Sequence, residues 1–190
     1  AILNAFYKSL YAYFGPQHWW PAKSRLEVTI GAILTQNTNW SNVEKAIENL
    51  KQHELLELSS LYGLPRNKLA SLIRPAGYYN VKAKRLKELL KFLHNAQQGN
   101  IKKMSGEDTY TIRKQLLSVN GIGQETADSI LLYALNKPIF VVDAYTKRIL
   151  SRHCLIKEDY SYEEVQNLFM QNLNPVTNNK IEHGKTTICN

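Results

Sequence analysis

Leu116-Leu117-Ser118-Val119-Asn120-Gly121-Ile122-Gly123-Gln124-Glu125-Thr126-Ala127 is the stretch that decides the fold. A helix ends in it, two glycines two residues apart allow a tight hairpin, and a second helix begins at once. Glycine at both positions permits positive φ and close approach of an outside group to the backbone, while the new helix aims its unpaired N–H groups outward. A helix N-terminus attracts anions without any charged side chain, so the hairpin is a candidate phosphate contact. An isolated Gly-x-Gly is more often a plain turn between packed helices, and the surrounding sequence has to decide.

Outward from the hairpin, apolar residues recur at helical spacing along most of the chain. Leu3, Phe6, Tyr7, Leu10, Tyr11 and Phe14 predict a helix over Leu3–Phe14, ended by Gly15-Pro16, and Gln17-His18-Trp19-Trp20-Pro21 follows as a rigid aromatic connector. Leu26, Val28, Ile30, Ile33 and Leu34 predict a buried helix to about Gln36, broken at Asn37-Thr38-Asn39. Ser41 with Glu44 reads as a capping box opening the helix that carries Val43, Ala46, Ile47 and Leu50. Short helices are expected over Glu54–Ser60 and Arg66–Ile73. Val81–Gln97 is the clearest amphipathic segment, with Val81, Leu86, Leu89, Leu90 and Leu93 inward and Lys82, Lys84, Arg85, Lys87 and Lys91 on the solvated side. Thr109–Ser118, Gly123–Asn136, Asp143–Cys154 and Tyr162–Leu173 read as four more helices, and the Asn-rich Asn174–Lys180 as a loop. Ile139-Phe140-Val141-Val142 is the one strand-like run, and four residues cannot build a sheet. The fold class is all-α.

Length and charge bound the function. At 190 residues the chain holds one globular domain or two small lobes sharing a core. Twenty-four Lys and Arg against 16 Asp and Glu give a formal charge of +8, which favours a polyanionic partner, with nucleic acid first among them. Two cysteines, Cys154 and Cys189, exclude a disulfide scaffold and cannot alone form a four-cysteine metal site. A reducing compartment is expected. Apolar runs such as Ile130–Leu135 fall far short of a membrane span, and the first residues lack the pattern of a signal peptide. The first residue is Ala1, not Met, so a trimmed or partial chain is expected.

The context of the hairpin is Val141-Val142-Asp143-Ala144-Tyr145-Thr146-Lys147-Arg148. Two valines bring the chain through the interior and deliver Asp143 to the start of a helix, where Asp is most often simply an N-cap. The pair of motifs, a glycine hairpin leading into a helix and then Val-Val-Asp with a basic helix behind it, resembles the helix-hairpin-helix DNA glycosylase superfamily, endonuclease III branch. The resemblance runs from about Leu26 to Arg152. It includes Ile33-Leu34-Thr35-Gln36-Asn37-Thr38, similar to the stretch carrying a duplex-filling Gln, and Gly77-Tyr78-Tyr79-Asn80-Val81-Lys82-Ala83, similar to a Gly-x-Tyr-Asn-x-Lys-Ala segment.

The resemblance implies a two-lobed helical fold with a central DNA-binding cleft, a flipped base and cleavage of the bond joining that base to its sugar. The lobes are expected at 26–136, ending in the helix-hairpin-helix, and at 1–25 together with 137–190. Double-stranded DNA containing a damaged base is the implied partner, and a cytoplasmic monomer, nucleoid-associated in a bacterium and without membrane attachment, the implied state. Gln36, Asn120, Gly121, Ile122, Gly123 and Lys147 become the candidates for DNA contact. Bifunctional members carry a catalytic Lys two residues after the second hairpin glycine, where this chain has Glu125. A carboxylate cannot form that Schiff base, which leaves Asp143 to stabilise the developing sugar cation and to orient or deprotonate water, without cutting at the abasic site. His183-Gly184-Lys185-Thr186-Thr187-Ile188-Cys189 is similar to the entry of the family's iron–sulfur loop. No cofactor is expected in the chain as given, and a 4Fe-4S cluster only if further cysteines follow Cys189.

Trp19-Trp20-Pro21, Trp40 and Glu125 together resemble the 3-methyladenine DNA glycosylase III subgroup, in which residues at these positions line the base pocket. On that resemblance Trp20, Trp40 and Glu125, with Trp19 in addition, are the pocket candidates, although an aromatic near a helix end more often serves packing. The reading that follows is a monofunctional glycosylase removing an alkylated purine. Three alternatives stand beside it: a glycosylase for oxidised or mismatched bases, a non-catalytic helix-hairpin-helix DNA-binding protein, and a helical protein-interaction domain.

Overall fold

The computed structural model describes residues 2–17, 19–96 and 101–173. The Asn174–Lys180 loop, the segment from His183 to Cys189, His18 and Gln97 lie outside the described residues. Among the described residues all regular structure is helical, as the sequence predicts, and no helix is long and apolar enough to cross a membrane. The chain divides into two compact units, Ala1–Pro21 with Pro138–Asn190, and Ala22–Lys137.

In the unit Ala22–Lys137 the centre is α2 (Arg25–Leu34), in which every residue from Glu27 to Leu34 is buried. Ser24 caps it by accepting the Glu27 N–H at 3.1 Å. The buried Glu27 carboxylate is balanced by Lys51 Nζ at 2.6 Å and by the Lys23 N–H at 3.0 Å. Around α2 pack α3 (Trp40–Gln52), α6 (Tyr79–Ala96), α7 (Ile101–Met104), α9 (Gln124–Ser129) and a π-helical turn at Ile130–Ala134. α4 (Leu58–Gly63) and α5 (Arg66–Leu72) cover α6, and α8 (Thr109–Leu117) packs on α9. The helix expected over Gly123–Asn136 is thus two pieces: from Ile130 the backbone widens, and the Leu135 N–H reaches back five residues to Ile130 O at 3.1 Å.

Three helix starts differ from expectation, each for a local reason. α3 begins at Trp40 because Asn39 is the N-cap, its Oδ1 accepting from Asn42 N–H at 3.1 Å and from the Ser41 hydroxyl at 3.0 Å, so the Ser41–Glu44 capping box does not form. The helix expected from Glu54 starts four residues later. Glu54 has a left-handed φ of 55° and Leu55 N–H bonds Leu50 O at 2.9 Å, so this stretch is spent turning the chain off α3. In α6 the register is shifted at the first turn: Val81 is 49% exposed and Lys82 only 1%. Lys82 is one turn before Leu86 and continues the buried stripe of Leu86, Leu89 and Leu93.

Lys82 is buried because helix ends converge on it. Its Nζ donates to Leu34 O, the last residue of α2, at 2.8 Å, to Ala76 O, the last residue of a 3-10 turn at Arg74–Ala76, at 2.7 Å, and to Thr38 Oγ1 at 2.6 Å. C-terminal carbonyls lack helical partners and carry the negative end of the dipole, so an ammonium completes them. Lys87 acts likewise on α4, donating to Leu61 O, Tyr62 O and Leu64 O. Part of the chain's basic excess therefore serves internal carbonyls.

The unit formed from both ends of the chain has its own core of Leu3, Phe140, Val142, Leu150, Ile156 and Val165. It is built on α1 (Ile2–Phe14), α10 (Ala144–Arg152) and α11 (Tyr162–Asn172). α1 buries Leu3, while Leu10, Tyr11 and Phe14 of its expected inner stripe are exposed. The strand-like run Ile139–Val142 is buried but pairs with no strand. Side chains of α11 satisfy it, Gln166 Nε2 donating to Phe140 O at 2.6 Å and Tyr162 Oη accepting the Val142 N–H at 3.3 Å, while Phe169 stacks on Phe140.

Burial, and secondarily the neighbouring Arg85, lowers the Lys82 pKa from 10.5 to about 8. Between pH 8 and 10.5 the unfolded chain binds the extra proton, so this group's contribution to stability rises with pH through that window. Lys82→Met, which takes the donor from Leu34 O while Ala76 O keeps the Thr38 hydroxyl at 2.6 Å, should lower stability by about 1–3 kcal/mol at neutral pH. Denaturant unfolding of parent and variant side by side should show the parent's advantage widening from pH 8 to pH 10.

Candidate active site and nucleic-acid interface

In the hairpin, α8 ends at Leu117, Ser118 and Val119 turn the chain, and Gly123 is the N-cap of α9. Ile122 is 6% exposed and Val119 9%, so their side chains plug the hairpin into the core and leave Asn120, Gly121 and Gly123 at the surface side. Of the candidates for DNA contact, Ile122 therefore offers its backbone only. Gly121 has φ of 91°, and a Cβ there would overlap the Arg85 side chain, so glycine is required on both counts. Gly123 is extended at φ −93° with open space around it, so the positive φ expected at both glycines is realised at Gly121 alone.

Two interactions hold the hairpin that sequence reasoning did not find. Arg113 of α8 grips Asp128 of α9 in a bidentate pair, Nε to Oδ1 at 2.7 Å and Nη2 to Oδ2 at 3.1 Å, with Asp128 fully buried. Gln36, after the end of α2, donates from Nε2 to Gly121 O at 3.1 Å and to Thr126 Oγ1 at 2.9 Å, and its Oε1 accepts from Arg85 Nη1. The expected duplex-filling residue is in this structure a clamp on the hairpin. The 15-residue spacing of Arg113 and Asp128 carries no local signal; a lone Asp amid Ala127, Ile130 and Leu131 was the available hint.

Trp40 is the first residue of α3, half-buried, and Glu125 is exposed in the first turn of α9. Both belong to the same unit as Gln36 and the hairpin. The other candidates belong to the unit made from the chain ends. There Trp20 is buried and Trp19 is 43% exposed, the two rings 5.8 Å apart between centroids.

Asp143 is the N-cap of α10: Oδ1 accepts the Thr146 N–H and the Thr146 hydroxyl, each at 2.7 Å. Oδ2 makes no hydrogen bond among the described residues, so one carboxylate oxygen holds the helix and the other remains open to chemistry. One turn on, Lys147 Nζ donates to Tyr160 O at 2.6 Å, which ties that cation into its own unit.

Comparison with known proteins agrees with this architecture. The pattern of the HhH-GPD superfamily of base excision DNA repair proteins matches residues 30–175. A Methanocaldococcus jannaschii protein named, by inference, a DNA repair glycosylase is 54% identical over 174 residues, 90% of this chain and 79% of that one. Endonuclease III of Thermotoga maritima is 28% identical over 85% of this chain and 73% of its own length. Among solved structures, the 3-methyladenine DNA glycosylase of H. pylori bound to 1,N6-ethenoadenine matches with a TM-score of 0.77 at 38% identity, over 90% of this chain and 79% of that one. An endonuclease III trapped covalently on DNA matches with a TM-score of 0.78 at 21% identity, over 92% and 79% of the two chains, a likeness of fold. With a buried-braced helix-hairpin-helix, a capped Asp143 and this match across most of its length, the chain belongs to the HhH-GPD superfamily of base excision DNA repair glycosylases.

Proposed function

We propose that the protein is a monofunctional DNA glycosylase that flips an alkylated purine such as 3-methyladenine out of duplex DNA and hydrolyses its glycosidic bond. The observation that carries this reading is Glu125, exposed in the first turn behind the hairpin, where a Schiff-base lysine would have to be. The 38% identity to a 3-methyladenine glycosylase supports it.

A purine methylated on a ring nitrogen is cationic, stacks well on indole faces and leaves readily without strong protonation. Trp40 is the stacking surface and Glu125, in the same unit, is the charge complement. As the C1′–N bond breaks, its electron pair goes to the base, which departs neutral. Asp143 Oδ2 stabilises the cationic sugar and takes a proton from the water whose oxygen bonds C1′. The hairpin holds backbone phosphate through its N–H groups and so fixes register, not lesion. Cys154 is exposed and Cys189 is the other cysteine of the given sequence; a 4Fe-4S cluster would need further cysteines after Cys189.

A panel of duplexes with one lesion each tests the substrate. Free 3-methyladenine should be released, and release of thymine glycol instead would assign the chain to endonuclease III-like work. Asn is as good an N-cap as Asp. Asp143→Asn should therefore keep the melting temperature and abasic-site DNA binding while losing most base release, and an equal loss of binding would remove Asp143 from the chemistry. Glu125→Gln should slow 3-methyladenine excision by about 1–3 kcal/mol in kcat/KM, the worth of a hydrogen bond to a charged group, with stability changed by only a few tenths. Full excision with lowered stability would make Glu125 a helix cap and nothing more.

A further inference from the structure

Beside the hairpin, in the unit Ala22–Lys137, lies a depression of about 450 Å³ lined by Arg66, Asn80, Val81, Lys84, Arg85 and Asn120. Its lining holds three cations and no carboxylate. Neither the Lys51–Glu27 nor the Arg113–Asp128 ion pair involves these cations. Arg66 is the first residue of α5 and Lys84 lies near the start of α6, and neither helix has an acidic residue in its first turn. Arg66 opposes the dipole at the start of α5, and the three cations around one depression repel one another, which an anion there would relieve.

The remaining wall is polar and apolar in a particular mixture. Asn80 and Asn120 are exposed and offer amide donors, and Val81 is the large apolar residue that α6 turns outward, away from the buried stripe it was expected to join. Anion-binding groups beside one small apolar surface suit a phosphate with a sugar attached better than a bare anion. Arg85 and Asn120 also connect the depression to the hairpin: Arg85 covers Gly121 and bonds Gln36, and Asn120 is the residue before Gly121.

We propose that this depression is a second phosphodiester subsite, holding a DNA backbone phosphate and its sugar next to the phosphate held at the hairpin. The assignment rests on the reading of the chain as a DNA glycosylase. Arg66 and Lys84 supply the charge, Asn80 and Asn120 the hydrogen bonds, and Val81 meets the deoxyribose. Arg85, bonded to Gln36, joins this subsite to the clamp on the hairpin.

Each lysine or arginine that neutralises a phosphate adds about 0.9 to the slope of log K against log salt. Fluorescence anisotropy with an undamaged duplex over a series of salt concentrations should therefore give a slope smaller by about 0.9 for Lys84→Gln and by about 1.8 for Arg66→Gln with Lys84→Gln, whatever the duplex sequence. Asn80→Asp, which puts a carboxylate into the depression, should weaken binding at low salt. Lys45→Gln, an exposed lysine on α3 outside the depression, should leave the slope unchanged. An unchanged slope in the folded double variant, or an equal loss in Lys45→Gln, overturns the subsite. Displacement of the duplex by inorganic phosphate at matched ionic strength overturns it too, by making the depression a site for small anions. If the parent itself shows no salt-dependent duplex binding, the glycosylase reading fails first; if the parent binds and releases base while the double variant keeps the full slope, only the subsite fails.

Discussion

The ammonium of Lys82 is the contact on which the larger unit depends. Two helical segments, α2 and the 3-10 turn, end at the same place with carbonyls that no backbone donor can reach, and the loop after α2 returns there through Thr38. Leaving a buried carbonyl unpaired costs on the order of 1–3 kcal/mol, and the cost of desolvating the ammonium opposes that gain. The depressed pKa records that the cost is real. Because Lys82 binds both Leu34 and Thr38, it fixes the two ends of the short loop that carries Gln36.

From that loop the order passes to the hairpin. Gln36 spends its whole amide on Gly121, Thr126 and Arg85, so the hairpin tip is held from outside as well as by the plug of Ile122 beneath it. Arg113 and Asp128 brace the two hairpin helices against each other with a bidentate pair buried on the Asp side. A phosphate contact made by backbone N–H groups has no side chain that can adjust, so its geometry has to be supplied by the scaffold. The sequence spends four polar side chains on supplying it.

Much of this was legible in the sequence, and what was not has identifiable reasons. The all-helical class followed from apolar spacing, and the family from four ordered motifs. Lys82 was misplaced because a lysine was read as solvent-facing by type, although its position one turn before Leu86 put it on the buried stripe; period and residue type conflicted, and period was right. The Ser41 capping box failed because Asn39, an equally good cap, lies upstream. Ile139–Val142 looked like strand because it is extended and buried, and α11 side chains stand in for the missing partner. Arg113–Asp128 and Gln36–Gly121 are contacts between distant residues that no local pattern encodes. Asp143 was legible in place but ambiguous in role, since a carboxylate can cap with one oxygen and act with the other, and the structure shows the cap, made by Oδ1.

The backbone of this chain superposes equally well on a 3-methyladenine glycosylase and on an endonuclease III, at very different identities. Lesion choice is therefore not written in the path of the chain. The parts that fix that path in the larger unit are the Lys82 hub, the Gln36 clamp and the Arg113–Asp128 brace. The scaffold presents some side chains without depending on them: Glu125 and Trp19 are exposed, and Trp40 is half-buried at a helix start. Positions of that kind can change type at little cost in stability. A change of charge at the first turn of one short helix, where Glu125 is exposed, leaves the packing beneath it untouched.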